Sequence, residues 1–356
     1  MAHSCCRMTC SCCFIVPPVV LRDLARDENL DPNVRKQLQR TFEETKRLQI
    51  IRDGIRAATV RQRTSAREEE RRSAIASTTA RVHQDLFDCQ HRRSLPGRHI
   101  SRPGSSADEA VKTVYNTTAK VADFYSKVFG RNSVDNEGLD LVSSIHYLRN
   151  YDNAFWNGQQ MVYGDGDGRV FSEFWRSPDV IGHELTHGVT QFESGLIYEG
   201  ESGALNESIS DVFGAVFNQW LSGWPATNPD GWLIGAGIMA GPAKQAGKTC
   251  LRDMLNPGAN HCLSPQPGSY ENFDATADVH INSGIPNKAF ATFARAVGGN
   301  SWEKAVKVWY RACTNRRLPS AATFVDFARL TIESAEGLEE QVRAAWQAVD
   351  LPLEVV

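Results

Sequence analysis

His183-Glu184-Leu185-Thr186-His187 sets two imidazoles four residues apart with a carboxylate after the first. On a helix, side chains at that spacing leave the same face one above the other, so His183 and His187 can grip one metal ion while Glu184 sits beside it. Two imidazoles hold zinc weakly, and a catalytic site takes a third protein ligand while keeping one position open for water. Twenty residues past His187, Asn206-Glu207-Ser208-Ile209-Ser210-Asp211 offers Glu207 as that ligand, with Asp211 one turn on as an acceptor for a ligating histidine's free N–H. Zinc so held acidifies its bound water, and Glu184, next to the metal but not on it, takes up the proton and passes it to the leaving group. The pattern implies metal-assisted hydrolysis.

These residues must be carried on elements that converge. Ile181 to Gly188 reads as helix, and Glu207 opens a second helical pattern over Leu205 to Trp220. Further helical spacing runs through Asn287 to Val297, Ser301 to Cys313, Ser320 to Ser334 and Leu338 to Val349, with Ser301-Trp302-Glu303 and Pro319-Ser320-Ala321 as helix entrances. Between Ser77 and Asp179 the pattern is strand-like, broken by one helix from Ala107 to Val128 whose stripe is Ala110, Val111, Val114, Val121 and Phe124. Asp165-Gly166-Asp167-Gly168 lacks the later acidic positions of an EF-hand and reads as a hairpin turn. The expected fold class is α+β, a β-rich half and a helical half with the metal-binding helix between them.

The first 75 residues differ in composition. Phe14 to Leu21 is apolar and, with Pro17 and Pro18 at its centre, expected to be extended. Asp31-Pro32 opens an amphipathic helical stretch carrying Val34, Leu38, Phe42, Leu48, Ile51 and Ile55, whose apolar stripe needs a partner. Arg61 to Arg72 is highly charged and reads as an exposed, cleavable linker.

Composition excludes several classes. A net charge of −3 gives no preference for nucleic acid or membranes, and no apolar run is long enough to span a bilayer. Five of the nine cysteines crowd the first thirteen residues (Cys5, Cys6, Cys10, Cys12, Cys13), which does not staple a fold of this size. Cys250 and Cys262 are left as a possible pair. The start Met-Ala-His-Ser lacks the regions of a secretory signal, so the expected place is cytoplasmic, or outside by a non-classical export route.

With Asn153-Ala154-Phe155-Trp156-Asn157-Gly158, Met161 to Gly168, Ser194 to Tyr198, Gly203 to Asp211 and Val279-His280-Ile281-Asn282-Ser283-Gly284 in this order, the chain resembles the thermolysin family of zinc endopeptidases, in its protealysin-like branch. The resemblance covers the chain from about Ala107 onward. It implies a two-lobed fold, with residues 1–75 as propeptide and linker, 76–188 as the β-rich lobe ending in the zinc helix, and 189–356 as the helical lobe. It implies a neutral endopeptidase made as a zymogen, acting on peptide or protein substrates on the N-terminal side of hydrophobic residues. Zinc ligands are then His183, His187 and Glu207, with Glu184 as the proton carrier and Tyr198 and His280 as donors to the oxyanion. Asn206 and Asp211 orient His187 and His183. Asn153 and Ala154 line the cleft edge, Arg252 binds a substrate carbonyl, and Phe171, Phe174, Val180, Ile234 and Leu251 form the specificity pocket.

The same resemblance makes the Cys13-Phe14-Ile15-Val16-Pro17-Pro18 stretch part of an inhibitory propeptide, the chain's own partner. Two routes to inhibition stay open: a Cys13 thiolate on zinc, or a Pro17-Pro18 segment that fills the cleft. Two departures from the family matter. Its usual Asp before the Val-His is Ala275 here, so His280 is held by Asp274, by Asp278, or less firmly by neither. Asp179 and Asp230 match acidic positions of the double calcium site, but Asn218, Leu233 and Ala236 replace others, so that site is expected to be missing. The competing reading is a catalytically weak homologue that binds peptides as a module.

Overall fold

The computed structural model describes residues 13–62 and 82–353, without the side chains of 52–62. Ile55 as a packing residue and most of the Arg61 to Arg72 linker therefore lie outside the described residues, as do Cys5, Cys6, Cys10 and Cys12.

The chain begins with strand β1 (Cys13–Phe14) and helices α1 (Pro18–Arg26) and α2 (Pro32–Gln62). The extended stretch is shorter than expected. It ends at Pro17, and Pro18 to Leu21 are already helical, because proline is well suited to a first helical position while the residue before it stays extended. Helix α2 buries Leu38 and Leu48 and leaves Ile51 exposed.

Strands β2 (Gln84–Asp88) and β3 (Arg98–His99), helix α3 (Glu109–Phe129), and strands β4 (Leu141–Ile145), β5 (Ala154–Trp156) and β6 (Met161–Tyr163) follow. The six strands form one mixed sheet in the order β1-β5-β6-β4-β2-β3, in which β2–β4 and β4–β6 are parallel and the other pairs antiparallel. The five stripe residues expected on α3 are all buried. Asp108 caps that helix by accepting from Ala110 N at 2.8 Å, and Gly130 closes it at φ 69°. The Asp165 to Gly168 stretch is not a hairpin turn: the chain runs from β6 into a loop, and Asp167 holds that loop by accepting from the N–H groups of Arg169, Val170 and Phe171.

Helix α4 (Pro178–Phe192) lies under the sheet and packs along α5 (Gly200–Ser222). Both are buried almost all round, as a helix in the centre of a molecule must be. They approach closely because Gly214 lacks a side chain; a Cβ there would stand 2.5 Å from the carbonyl oxygen of Asp179. Past α5 come β7 (Leu233–Ile234), α6 (Gly241–Gln245) and β8 (Arg252–Asp253), with β7 and β8 paired antiparallel, then α7 (Val279–Asn282), α8 (Gly284–Val297), α9 (Ala305–Cys313), α10 (Phe324–Glu333) and α11 (Glu339–Gln347). Two helix entrances fall later than expected. α9 begins at Ala305, and α10 is entered through Thr323, whose capping box with Asp326 satisfies the first N–H groups. The architecture is α+β, as the pattern implies. No helix among the described residues is long and apolar enough to cross a membrane.

Candidate active site

His183 and His187 leave α4 side by side and fully buried, with their Nε2 atoms 3.0 Å apart. Glu207, on the facing side of α5, brings Oε2 to 3.4 Å from His183 Nε2 and Oε1 to 3.4 Å from His187 Nε2. The outer nitrogens are engaged: Asp211 Oδ1 lies 2.9 Å from His183 Nδ1, and Asn206 Oδ1 lies 2.9 Å from His187 Nδ1. With both Nδ1–H groups pointing at oxygens, two Nε2 lone pairs and a carboxylate converge on one point and require a positive charge there.

The electrostatics agree. Burial alone lowers His183, but Asp211 and Glu207 outweigh it and raise the group to about 10. Burial holds His187 down at about 3. Glu207 resists the upward push of burial and falls well below the ordinary carboxylate range, drawn down by His280, His187 and His183. Glu207 is thus held as a carboxylate between the two rings. Donor atoms at about 2.0–2.2 Å from a tetrahedral zinc ion stand roughly 3.3–3.6 Å apart; the two nitrogen–carboxylate spacings of 3.4 Å match, and the 3.0 Å between the nitrogens is shorter. Glu184 is different. Burial pushes its carboxyl up to about 8, with His183 and the Trp156 backbone opposing the shift.

His280 sits on α7 with Nδ1 2.6 Å from Asp278 Oδ1, which also accepts from the His280 N–H at 3.0 Å. Asp274 instead takes the N–H and hydroxyl of Thr276. Of the alternatives, Asp278 is the residue that meets the ring. Burial lowers His280, and Glu207 and Asp278 more than offset it, raising the group above its ordinary value. Tyr198 donates to Glu207 and lies 3.2 Å from His280 Nε2.

The cleft holds the N-terminal segment of the same chain. β1 pairs antiparallel with the outer edge of β5, Cys13 opposite Trp156 and Phe14 opposite Phe155. His280 Nε2 meets the carbonyl of Phe14 at 2.6 Å, and Arg252 donates to the carbonyl of Ile15 at 2.9 Å. Asn153 accepts from Val16 N and donates to Val16 O, each at 3.0 Å, while Ile15 N–H donates to Ala154 O at 3.2 Å. Ile15 and Val16 belong to the same buried cluster as Phe171, Phe174, Val180, Ile234 and Leu251; Phe14 belongs to another, with Leu48, Tyr147, Tyr151 and Phe155. Cys13 is buried, and its sulfur groups with ligand atoms of His187 and Glu207, all within 4.8 Å of one another.

Three supporting residues, Ser210, Asn287 and Gln266, escaped the sequence reading, as did a second role of Arg252. Ser210 Oγ lies 3.0 Å from His187 Nδ1, Asn287 donates to Asp211 at 2.8 Å, and Arg252 donates to both oxygens of Asp211 at 2.6 and 2.8 Å. Gln266 donates to the carbonyl of His280 at 2.5 Å. Ser210 falls within the quoted Glu207 to Asp211 stretch and had a local signal; Asn287 and Gln266 had none. Of the expected calcium residues, Asp179 is occupied by the Ser177 hydroxyl and, at 2.6 Å, by the N–H of Gly235.

A two-histidine, one-carboxylate metal grip beside an unliganded glutamate, at the edge of a sheet that can take an added strand, defines a metallopeptidase. Residues 39–191 match the thermolysin metallopeptidase catalytic domain and residues 194–351 its alpha-helical domain. The chain belongs to the thermolysin family and is a zinc metalloendopeptidase. It is 43% identical over 284 residues to an extracellular metalloprotease of Pectobacterium carotovorum subsp. carotovorum, covering 75% of this chain and 81% of that protein. It is 36% identical over 355 residues to protease PrtS of a Photorhabdus species, covering 95% and 91%. The solved precursor of protealysin, a metalloproteinase from Serratia proteamaculans, superposes with a TM-score of 0.80 at 37% identity, over 94% of this chain and 98% of that one. The Pectobacterium relative is extracellular, and this corrects the cytoplasmic placement read from the first residues.

Proposed function

We propose that this chain is the latent precursor of an endopeptidase that cuts before hydrophobic residues, with residues 1–75 as the inhibitory prosegment, 76–188 as the β-rich lobe and 189–356 as the helical lobe. The observation that carries the reading is the seating of Phe14-Ile15-Val16 as an added strand on β5, its carbonyls on His280 and Arg252 and its Val16 amide groups on Asn153.

Read as a stand-in for substrate, the segment supports the following roles. The carbonyl facing His280 marks the bond to be cut, so Ile15 stands for the residue after it, which supports cleavage before branched apolar side chains. His183, His187 and Glu207 hold zinc, which when bound supplies a Lewis acid and an activated water. Glu184, buried beside the two histidines, takes the proton and returns it to the amine that leaves. His280, steadied by Asp278, donates to the oxygen that gathers charge, and Tyr198 joins it once substrate draws its hydroxyl from Glu207. Asp211 positions His183 and is itself fixed by Arg252 and Asn287; Asn206 positions His187. Asp179 already holds backbone, and Leu233 and Ala236 bring no carboxylate, which supports a chain without the double calcium site.

Latency comes first from the filled cleft, with the Cys13 sulfur as a secondary contact. The test is peptide hydrolysis by the full chain, by Cys13→Ser and by a chain starting at Ser77. The expected result is that Cys13→Ser stays as latent as the parent while the shortened chain is at least about a hundredfold more active. An active Cys13→Ser precursor transfers the block to the thiolate, and an equally active full chain ends the zymogen reading.

A further inference from the structure

Cys250 and Cys262 stand opposite each other on a parallel backbone bridge. Thr249 N–H donates to His261 O at 3.0 Å and Leu263 N–H to Cys250 O at 2.9 Å, which fixes the two backbones in register and turns both side chains to one side. Lys248 adds a further tie, donating to the carbonyls of Asn260 at 2.7 Å and Cys262 at 3.0 Å. Both cysteines are fully buried, and their sulfurs stand 3.9 Å apart. A ring nitrogen of His261 joins them, the three atoms lying within 4.8 Å of one another.

That separation is nearly twice the ~2.05 Å of a disulfide. It matches two thiolates on a tetrahedral zinc ion, whose sulfurs at about 2.3 Å from the metal stand roughly 3.8 Å apart. The other features of a metal site are present. Asp253 Oδ2 lies 3.2 Å from His261 Nε2, a carboxylate placed to hold an imidazole. The His261 side chain is 39% exposed, giving an ion a way in.

We propose that Cys250, Cys262 and His261 form a second site for a thiophilic divalent ion, zinc above all, with water completing the coordination. The ion clips the two ends of the segment that carries Arg252 and Asp253, and so braces the arginine that reaches into the cleft.

The probe is cobalt, loaded into the full chain after its five N-terminal cysteines (Cys5, Cys6, Cys10, Cys12 and Cys13) are changed to serine. A thiolate-to-cobalt charge-transfer band can then not arise from the two-histidine, one-carboxylate site. The expected result is the band, with about two metal ions per chain, and loss of the band with about one ion retained in Cys250→Ser/Cys262→Ser. His261→Gln keeps both sulfurs and serves if the double variant fails to fold; it is expected to release the second ion at least about tenfold more readily. Absence of the band in a chain loaded with one cobalt overturns the proposal. So does a mass two hydrogens short under non-reducing conditions, which reports a disulfide, or an unchanged second-ion affinity in His261→Gln.

Discussion

His280 depends on Asp278, two residues before it, for both its ring orientation and the start of its short helix. Asp278→Asn removes the charged acceptor while keeping the shape, and is expected to lower kcat by about tenfold to a hundredfold with little change in KM. Asp274→Asn, which alters a side chain bonded to Thr276 and leaves the backbone contacts with Asn282 in place, is expected to stay within about twofold. Steady-state kinetics on one hydrophobic peptide measures both, and equal effects contradict the assignment. The convergence of His183, His187 and Glu207 was plain in the sequence, because each lies on a helix where spacing dictates facing. The sequence left Asp274 and Asp278 unresolved, since both are near enough and only the turn between them decides. Asn287 and Gln266 gave no signal, because their contacts join segments whose approach no local pattern encodes.

Helices α4 and α5 must lie close for Glu207 to meet two histidines, and Gly214 permits it. Gly214→Ala sets a methyl against the Asp179 carbonyl and 3.1 Å from the His183 nitrogen, and backbone cannot yield cheaply there. The expected outcome is a loss of roughly 1–3 kcal/mol in stability, by denaturant titration, together with weaker zinc retention in chelator competition. Retention unchanged at reduced stability means the crossing does not set the site. Periodicity made the helices readable, the α3 stripe most clearly. It failed at Asp165 to Gly168, where glycines at positive φ suggested a hairpin but the acidic side chains organise a loop. It also extended the Pro17-Pro18 segment too far, since proline both ends an extended run and begins a helix.

At the scale of the whole molecule, the amphipathic N-terminal stretch announced that it needed a partner, and the partner is the catalytic lobe. Glu44 of α2 is buried there, accepting from the Tyr147 hydroxyl at 2.8 Å and pairing with Arg93 at 3.0 Å. Stability across pH is set partly by His146, raised to about 9 by its hydrogen bond to Asp165, with burial opposing and Asp108 assisting. A raised folded value means the contribution is complete below the unfolded value of about 6.5 and is lost as pH climbs through about 9. The melting-temperature gap between parent and His146→Gln is therefore expected to be widest near pH 6 and to close above about pH 9; a gap that widens with pH contradicts the pairing.

The claim beneath all of this is that one zinc ion among His183, His187 and Glu207 enables hydrolysis and Glu184 moves the proton. The direct measurement is peptide hydrolysis by the processed enzyme, stripped with phenanthroline and then titrated with zinc, in parallel with Glu184→Gln. Activity is expected to vanish on stripping and to return with zinc in the parent, while Glu184→Gln binds the ion and stays at least about a hundredfold less active. Undiminished hydrolysis by a chain that elemental analysis finds free of metal contradicts the account.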